Sequence, residues 1–463
     1  MFLNLDKKDK SAIAAIDDER NILTYGDICN FSNDFSKVLT HRTLVFILAE
    51  NSFGSLLGYL ALLSNKIVPL ILSSQTDKTL FENLRKLYRP EYIWAPERMV
   101  SDSEYNPVFK SHQYVLTYTG LKSHPLYEEL ALLLPTSGST GSPKLVRHSY
   151  HNIEANARNV AQLFGLTEKE RTMAVLPMHY TMGLSVITSH LYRGATLLIS
   201  DKSLIDKKFW DFLKEGKATS FTGVPYSYEI LQKLRFFKMD LPDLKIITQG
   251  GGKLSEDLFT AYAEYAEKNG KFFIATYGQT EGTARMAFLE PEMASQKIGS
   301  IGKAIPNGKL SVVDENGNET FEGEATGEMV YRGENVTLGY AICGDDLIRG
   351  DENNGILYTG DVVYRDHEGY YFIIGRMKRF LKIFGLRIGL DEVEHLVKSN
   401  FDTDCVCNGS DDMLKVIITN PTIVASIKDF IIEKTKLFHK NFEIIVVDQI
   451  ARNEAGKAIL TAN

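Results

Sequence analysis

The chain has 463 residues, and at about 150 residues per domain this length predicts two or three domains. With 44% hydrophobic and 24% charged residues, the composition is that of a globular protein and excludes a disordered or fibrous one. The 59 acidic and 52 basic residues leave a formal net charge of −7, which argues against a nucleic-acid coat, so any anion site must be local.

The cysteines and the apolar stretches indicate the compartment. Four cysteines are too few and too scattered to frame a disulfide scaffold, and Cys405 and Cys407 have no partners at zinc-ligand spacing. Charges between residues 6 and 10 interrupt any signal-peptide core, and the apolar stretch at 56–63 is too short to span a membrane. We therefore expect a cytoplasmic protein with no membrane span.

Short apolar runs alternate with amphipathic stretches over the first 278 residues. The runs begin at residues 44, 67, 131, 173, 195, 245 and 272. Strands that alternate with helices predict a largely parallel, buried sheet. One helix is well marked, because Ser255 can cap its start and Asn269 with Gly270 can end it.

The pattern changes twice after Pro291. Turn residues within SVVDENGNE at 311 and YRDHEGYYFIIG at 364 predict a smaller antiparallel section. Beyond Arg376, two helices and two strands predict a compact α+β domain of about 85 residues. Asp391 and Glu394 have the spacing of a capping box at the start of the first of these helices.

The segment LLLPTSGSTGSPK at 132–144 has the chemistry of a phosphate-binding loop. Glycines let the backbone approach an anion, hydroxyls donate to its oxygens, and a lysine adds positive charge. The loop is not a Walker motif, because Pro143 stands where that motif needs glycine. A flexible Ser/Gly linker is the alternative, but the loop interrupts a strand-to-helix pattern and ends in Pro-Lys. The candidate phosphate ligands are Thr136, Ser137, Gly138, Ser139, Thr140, Gly141 and Lys144.

This loop resembles the T-S-G-S-T-G-x-P-K-G signature of the adenylate-forming superfamily, with Leu145 in place of the last glycine. That superfamily includes acyl- and aryl-CoA synthetases, amino-acid adenylation domains and luciferase. The resemblance implies an α/β fold with a large N-terminal body of stacked mixed sheets, helices and a small β-barrel-like section, covering residues 1–377. It also implies a small, mobile α+β domain at residues 378–463.

Later segments match the family in the same order. TYGQTEG at 276 resembles the Y-G-x-T-E segment, which implies that Tyr277 lies against adenine, Thr280 bonds to phosphate and Glu281 holds Mg²⁺. Gly278 belongs to the same segment. QGGGKL at 249 resembles a glycine-rich strand end, where side chains at Gly250 and Gly251 would obstruct the acyl group or the nucleotide.

GEMVYRGENVTLGY at 327 resembles the next family segment, for which we expect a mainly structural role. YTGD at 358 places Asp361 where the family binds both ribose hydroxyls. GRMKRFLKIFGLRIGLDEVE at 375 resembles the hinge segment, which implies that Arg376 reaches ribose or phosphate and that Lys378 is the pivot. Lys382 would enter the site in a second orientation. The basic and aromatic residues of this segment are too few to indicate nucleic acid.

ARNEAGKAIL at 451 resembles the family's C-terminal motif, with Ala451 replacing the usual proline. Lys457 would then bridge the substrate carboxylate and the α-phosphate, and a moving domain could deliver and withdraw it. Without the upstream motifs, a solvated terminal lysine would be the better interpretation.

LPMHYTMGLSV at 176 occupies the place where the family lines its acyl pocket. Members that activate amino acids have an aspartate before an L-S-V-like run, and here Gly183 stands at that position. A buried ammonium without a carboxylate is costly, so we expect an acid other than an α-amino acid. His179 and Tyr180 could bond a polar or aromatic acid.

The sequence therefore predicts ATP- and Mg²⁺-dependent activation of a small carboxylic acid through an acyl-adenylate, with release of pyrophosphate. A thioester would then form on coenzyme A or on the phosphopantetheine of an acyl carrier protein. The alternatives are amino-acid-type adenylation, transfer to an acceptor other than a thiol, and a nucleotide-binding pseudoenzyme.

Overall fold

The structure is a computed structural model. It describes residues 1–100, 106–135, 144–377, 379–383, 386–410, 413–435, 437–452 and 458, with the backbone alone at residues 380, 382, 386 and 387. The chain forms two compact units. The first comprises Met1–Ile298, Ala304–Lys309 and Arg332–Leu357, and the second comprises Gly299–Lys303, Leu310–Tyr331 and Tyr358–Asn463. The predicted domain boundary between residues 377 and 378 stays a prediction.

The described residues form strands and helices that are numbered here in chain order. The strands are β1 (Ile13–Asp17), β2 (Ile22–Thr24), β3 (Leu44–Ala49), β4 (Val68–Ser73), β5 (Tyr92–Pro96), β6 (Asn106–Ser111), β7 (Tyr114–Tyr118), β8 (Leu130–Pro135), β9 (Leu145–Ser149), β10 (Arg171–Ala174), β11 (Thr196–Ile199), β12 (Ser220–Gly223), β13 (Ile246–Gln249), β14 (Phe272–Tyr277), β15 (Ala287–Phe288), β16 (Lys303–Ala304), β17 (Lys309–Val313), β18 (Glu319–Thr320), β19 (Ala325–Arg332), β20 (Gly339–Ala341), β21 (Ile356–Arg365), β22 (Tyr371–Arg376), β23 (Phe380–Ile383), β24 (Leu386–Gly389), β25 (Cys405–Ser410), β26 (Met413–Ile418) and β27 (Phe442–Val446). The α-helices are α1 (Tyr25–Val38), α2 (Phe53–Ser64), α3 (Lys78–Tyr88), α4 (Tyr150–Leu163), α5 (Thr181–Arg193), α6 (Lys207–Glu215), α7 (Pro225–Lys233), α8 (Glu256–Lys268), α9 (Leu390–Asn400) and α10 (Val424–Thr435).

Two sheets build the first unit. One has the strand order β20-β9-β8-β4-β3-β5-β7-β6, and in the other β15-β14-β13-β12-β10-β11-β1-β2 run side by side. The neighbours β3 and β4 are parallel, as are β10 to β14 where they pair. The apolar runs predicted as strands are thus confirmed, but they belong to two sheets. The alternation of apolar runs predicts strands but not which strand pairs with which. It therefore could not show that these strands form two sheets rather than one.

Helices fill the space between these two sheets. Phe31 of α1, Leu60 of α2 and Leu184 of α5 share one hydrophobic core with Ile47 of β3 and Leu197 of β11. Helix α2 is apolar on every side and is buried from residue 53 to 63, as expected for a helix enclosed by other elements. Helix α3 packs on the opposite face of the first sheet.

Side-chain caps fix where several helices begin. Thr24 and Asp27 form a capping box at the start of α1. Ser255 accepts a hydrogen bond from the backbone of Leu258 at the start of α8, and this helix ends at Asn269, so both predicted signals are confirmed.

The second unit contains the five-stranded sheet β18-β17-β19-β21-β22, a β23-β24 hairpin and the sheet β25-β26-β27. Helices α9 and α10 pack on the last of these sheets through Val397 and Ile427, which share a core with Val416. The predicted α/β class, with a separate α+β section towards the C-terminus, is confirmed. The mobility of that section stays a prediction.

The capping box predicted at Asp391 and Glu394 is wrong. Helix α9 begins after Gly389 and has no side-chain cap. Both carboxylates instead accept hydrogen bonds from the guanidinium of Arg379, and Glu394 also accepts one from the backbone N–H of Cys407 at 2.7 Å. A bidentate guanidinium therefore takes the acceptors that the capping pattern would use.

Within the described parts of the chain, no helix is both long enough and apolar enough to cross a membrane.

Candidate functional site

The described residues include only part of the predicted site. The loop residues 136–141, the predicted hinge Lys378 and the predicted catalytic Lys457 lie outside them, and Lys382 is described by its backbone alone, in β23. These roles stay predictions. Of the other predicted residues, Asp361 and Arg376 lie in the second unit and the rest lie in the first.

The segment that contains the predicted phosphate loop connects two antiparallel strands. Pro135 at the end of β8 pairs with Leu145 at the start of β9, and helix α4 begins only at Tyr150. The expected strand-to-helix connection is therefore wrong. The five residues of β9 separate Lys144 from the N-terminus of α4.

Lys144, the residue before β9, contacts an aromatic ring. Its Nζ atom lies 3.2 Å from the ring centroid of Tyr340, which is within the range of a cation–π interaction. The contact follows from strand pairing, because β20 runs antiparallel to β9 with Tyr340 opposite Val146.

A buried arginine fixes this strand pair. Arg147 is fully buried, and its Nε donates to the carbonyl of Tyr340 at 3.0 Å while Nη2 donates to the carbonyl of Leu338 at 3.0 Å. Glu352 pairs with the same guanidinium. Burial lowers the pKa of Arg147 and Glu352 acts in the opposite direction. Removing Glu352 would take the carboxylate from a buried guanidinium, whereas Glu352 itself is about one third exposed and also pairs with Arg349.

The segment TYGQTEG turns sharply at the end of β14. Thr280 begins a short 3₁₀ helix, and its Oγ1 accepts a hydrogen bond from Thr181 at 3.0 Å. The Glu281 carboxylate accepts one from the hydroxyl of Tyr340 at 2.7 Å. The Glu281 carbonyl accepts two more, from the backbone N–H and the hydroxyl of Thr337, both at 3.0 Å. The predicted phosphate and Mg²⁺ ligands are therefore both held in place.

We call the residues that these contacts link the polar cluster. It comprises Lys144, Thr181, Thr280, Glu281 and Tyr340.

The turn that follows Glu281 has unusual backbone angles. Thr283 and Ala284 have φ of 53° and 80°, a region that costs non-glycine residues about 1–3 kcal/mol each. Asn335 offsets part of this cost, because its side chain donates to the carbonyl of Gly282 at 2.6 Å and its own carbonyl accepts from Thr283 at 2.7 Å. A Cβ atom at Gly278 would lie 1.3 Å from the Ala284 carbonyl oxygen, so only glycine fits there.

Tyr277 ends strand β14 and is 8% exposed. Its hydroxyl accepts a hydrogen bond from the side chain of Gln279 at 3.1 Å, which orients the ring. Its contact with adenine stays a prediction.

Of the predicted acyl-pocket residues, Tyr180 and Gly250 lie at a second group, which we call the apolar cluster. It comprises Leu176, Tyr180, Met182, Val224 and Ala284. Gly250 and Gly251 face it. A Cβ at Gly250 would lie 2.9 Å from Sδ of Met182, and one at Gly251, where φ is 79°, would lie 2.7 Å from the hydroxyl of Tyr180. The structure thus brings Tyr180, Gly250 and Gly251 together. Burial raises the pKa of Tyr180 to about 12, so its hydroxyl stays protonated at neutral pH.

Gly183 lies in the first turn of α5 and is closely packed. A Cβ atom there would lie 2.3 Å from the carbonyl oxygen of Pro177, so the position excludes any side chain unless the backbone moves. His179 is half-buried in the loop before α5.

The pair in the second unit consists of Asp361 on β21 and Arg376 on β22. The two residues are opposite each other in the strand pair, and Nε of Arg376 donates to Oδ1 of Asp361 at 2.9 Å. Asp361 is buried while Arg376 is half exposed. The backbone N–H of Met377 donates to the carbonyl of Gly360 at 2.7 Å and anchors the chain just before the predicted hinge.

Two members of the polar cluster, Thr181 and Tyr340, are absent from the predicted site. Tyr340 ends the segment GEMVYRGENVTLGY, for which the family resemblance predicts a mainly structural role. For Thr181 no motif signal exists, since its contact depends on how α5 packs beside the Thr280 turn.

The donors around Glu281 are those that Mg²⁺ prefers. Glu281 offers a carboxylate and Thr280 a hydroxyl, both hard oxygen ligands. In the described part of the chain, no group of three or more His, Cys, Asp or Glu could hold a metal ion. A site with one carboxylate fits Mg²⁺, which is commonly held by one or two carboxylates together with substrate phosphates.

Comparison with known proteins identifies the family. The family model described as AMP-binding enzyme matches residues 4–341. The 2-succinylbenzoate–CoA ligase of Enterococcus faecalis is 28% identical over 66% of this chain and 62% of its own length. The indoleacetate–CoA ligase of Aromatoleum aromaticum is 32% identical over 58% of this chain and 52% of its own length. The matched part of the chain thus spans less than two thirds of either relative.

A solved structure extends the similarity of the fold. The o-succinylbenzoate CoA synthetase of Bacillus subtilis, in complex with its acyl-adenylate intermediate, has a TM-score of 0.78 and 20% sequence identity, covering 96% of this chain and 94% of that one. Together with the family match over most of the chain, this confirms the predicted resemblance, and the chain belongs to the AMP-binding enzyme family.

Proposed function

We propose that the protein uses ATP to convert a carboxylic acid into an acyl-adenylate with release of pyrophosphate, and then transfers the acyl group to a thiol. The observation that carries this proposal is the polar cluster, in which Thr181 donates a hydrogen bond to Thr280 and Tyr340 donates one to Glu281. Membership of the AMP-binding enzyme family supports the same chemistry.

The main task in the first step is electrostatic. A carboxylate and a triphosphate carry charges of the same sign, so positive charge must be placed between them. Lys144 brings an ammonium to the phosphates from the loop side, and Thr280 donates its hydroxyl to a phosphate oxygen. Mg²⁺, when bound at Glu281, neutralises phosphate charge. Lys457 would reach the α-phosphate and the substrate carboxylate from the small domain.

The remaining nucleotide contacts come from two further places. Tyr277 stacks on adenine, Asp361 accepts hydrogen bonds from the ribose hydroxyls, and Arg376 contacts ribose or phosphate. The small domain, residues 378–463, then turns about Lys378 and exchanges Lys457 for Lys382 before the thiol attacks. The ion pair between Arg376 and Asp361 supports this assignment, because it fixes the orientation of the buried carboxylate.

The substrate we propose is an aromatic or other apolar acid without an α-ammonium group. Leu176, Met182 and Val224 offer apolar contacts, and the protonated hydroxyl of Tyr180 offers one donor. At residue 183, even a methyl group would overlap the Pro177 carbonyl, so an aspartate that pairs with an ammonium cannot be accommodated.

Coenzyme A is the thiol acceptor that we propose first, since the relatives reported above are named as CoA ligases. The phosphopantetheine of a carrier protein is the second. A cytoplasmic location remains a prediction.

ATP–pyrophosphate exchange with a panel of acids tests the first step. We expect exchange with one or more aryl or apolar acids and none with the twenty amino acids. Exchange with an amino acid would overturn the substrate class. Binding of ATP without exchange for any acid would favour a nucleotide-binding pseudoenzyme.

The acceptor is tested in the same reaction. Coenzyme A or a holo carrier protein is added with the active acid, and thioester formation is measured by mass spectrometry. Formation of the coenzyme A thioester supports the proposal. An adenylate that transfers to neither thiol contradicts it and indicates a different acceptor.

A further inference from the structure

Tyr340 makes contacts that a purely structural tyrosine does not need. Its hydroxyl donates to Oε1 of Glu281 at 2.7 Å, and its ring face lies 3.2 Å from Nζ of Lys144. One side chain therefore contacts both the predicted Mg²⁺ ligand and the cation of the predicted phosphate loop. The two contacts use different parts of the side chain, the hydroxyl and the π face, so they can be removed separately.

The backbone around Tyr340 is fixed independently of these contacts. Arg147 donates to its carbonyl at 3.0 Å, and a Cβ at the preceding Gly339 would lie 2.9 Å from the Glu352 carboxylate. The main chain of Glu281 is held by Thr337, three residues before Tyr340. The segment thus holds the main chain of Glu281 and directs a side chain to its carboxylate.

Tyr88 shows what a structural tyrosine looks like in the same part of the fold. It is buried in α3, and its hydroxyl donates to the carbonyl of Ala341 at 3.0 Å. Tyr340 is half-buried, and its hydroxyl donates to a charged group.

We propose that Tyr340 is a positioning residue, which orients the Glu281 carboxylate for Mg²⁺ through its hydroxyl and holds the Lys144 ammonium at the phosphates through its ring. The inference rests on the proposed function. A carboxylate has two oxygens, so Glu281 could accept from Tyr340 with Oε1 and still offer an oxygen to a cation. The loop lysine and the metal ligand are thereby tied to the same strand, β20, although they lie far apart in the sequence.

The test uses the full-length protein and compares the variants Tyr340→Phe and Tyr340→Leu, with Tyr88→Phe as the matched control. ATP binding is measured by calorimetry without any acid, over a series of Mg²⁺ concentrations and with no Mg²⁺. Tyr340→Phe keeps the ring and loses the hydroxyl. We therefore expect the Mg²⁺ concentration that gives half of the Mg²⁺-dependent increase in ATP affinity to rise about tenfold. Binding without Mg²⁺ stays unchanged in this variant.

Tyr340→Leu also loses the π face, so ATP binding weakens about threefold to fivefold even without Mg²⁺. Tyr88→Phe leaves both readouts as in the wild type. In the Glu281→Gln background, Tyr340→Phe has no further effect on the Mg²⁺ dependence, since the hydroxyl acts through that carboxylate.

Two outcomes would overturn the inference alone: wild-type Mg²⁺ dependence in Tyr340→Phe, or an equal shift in Tyr88→Phe. A wild-type protein that binds no ATP would overturn the proposed function and this inference together. A protein that binds MgATP but exchanges no pyrophosphate would overturn only the proposed function, and the shift in Tyr340→Phe would still support the positioning role.

Discussion

The polar cluster and the apolar cluster lie in the same unit and are built in opposite ways. In the polar cluster, side chains are joined by directed contacts: Thr181 donates to Thr280, and Tyr340 donates to Glu281. In the apolar cluster, the space is set by missing side chains, because Gly250 and Gly251 face Met182 and Tyr180. One cluster depends on which atoms are present, the other on which are absent.

Under the proposed function, this difference separates catalysis from substrate choice. A change in the polar cluster would then alter contacts to ATP, which is common to every acid, so it should affect all acids equally. A change in the apolar cluster alters the volume that the acid occupies, so it should affect bulky acids most.

The largest effect is expected from Glu281→Gln. The amide keeps the shape but removes the negative charge, so we expect exchange to fall at least about 100-fold for every acid on the panel. Glu334→Gln is the control, since this exposed carboxylate pairs with Arg158 at the surface. The measurement is kcat for ATP–pyrophosphate exchange. A loss that depends on the acid would break the proposed separation of the two clusters.

The second effect is expected from Gly250→Ala. The new methyl group lies 2.9 Å from Sδ of Met182 and 2.7 Å from Oγ1 of Thr276, which is closer than atoms pack, so kcat/KM for a bulky acid should fall about 30-fold. Small acids lose less, and ATP binding stays unchanged. Gly350→Ala is the control, because the nearest atoms there are 3.8 Å away.

Met182→Ala in the Gly250→Ala background tests the cause. Removing the methionine side chain should restore part of the activity with the bulky acid, measured as kcat/KM. If activity is not restored, or if ATP binding weakens in Gly250→Ala, the apolar cluster does not act on the acid alone.

The two clusters also differ in how far the sequence predicts them. Glu281 and Thr280 stand in a motif whose residue types carry their chemistry, so their roles could be proposed before the fold was known. The role of Tyr340 could not, because its contact with Glu281 depends on how the segment 337–340 packs beside the Thr280 turn. From the sequence, Gly183 shows only that the aspartate of amino-acid-activating relatives is absent. The structure adds the reason that no side chain fits there, which is the close packing of the Pro177 carbonyl.

The same limit applies to the fold. Apolar runs and caps predicted β3, β4 and α8, since these signals are local in the sequence. Strand pairing is not local, so the apolar runs and caps could neither divide the strands between two sheets nor place the strand β9 directly after the loop. Only the family resemblance predicted stacked sheets. The local capping pattern at Asp391 is overridden by a hydrogen bond from Arg379. Arg379 lies 12 residues earlier in the chain, which is farther than the capping pattern extends.

The third prediction concerns pH. His148 and His190 are buried, and burial lowers the pKa of His148 to about 3 and that of His190 to about 4, from an ordinary value near 6.5. Below pH 6.5 these two histidines bind protons in the unfolded chain but stay neutral in the folded chain. Their contribution to the free energy of unfolding therefore falls as the pH falls. For His148 alone, the loss between pH 6.5 and pH 5 is about 2 kcal/mol.

His148 links this effect to the polar-cluster side, since its Nδ1 lies 3.4 Å from Oγ1 of Thr283, in the turn after Glu281. In the apolar cluster, Tyr180 has a pKa of about 12 and does not titrate in this range. Urea unfolding at pH 7 and pH 5 measures how steeply the free energy of unfolding falls with pH. We expect this slope to be shallower in His148→Gln than in the wild type. An unchanged slope would contradict the assignment of this proton linkage to His148.

The smallest effect is expected at the residue where the two clusters meet. Thr181 stands between Tyr180 and Met182 in sequence, yet its hydroxyl donates to Thr280 at 3.0 Å. Thr181→Val keeps the shape and removes that hydrogen bond, so kcat for exchange should fall about fivefold, equivalent to about 1 kcal/mol. Thr188→Val is the control, because its hydroxyl bonds only to carbonyls within α5 among the described contacts. If Thr181 acts only within the polar cluster, the KM for the acid stays constant and kcat falls by the same factor for small and bulky acids. A fall in kcat that grows with the size of the acid would mean that α5 couples the two clusters.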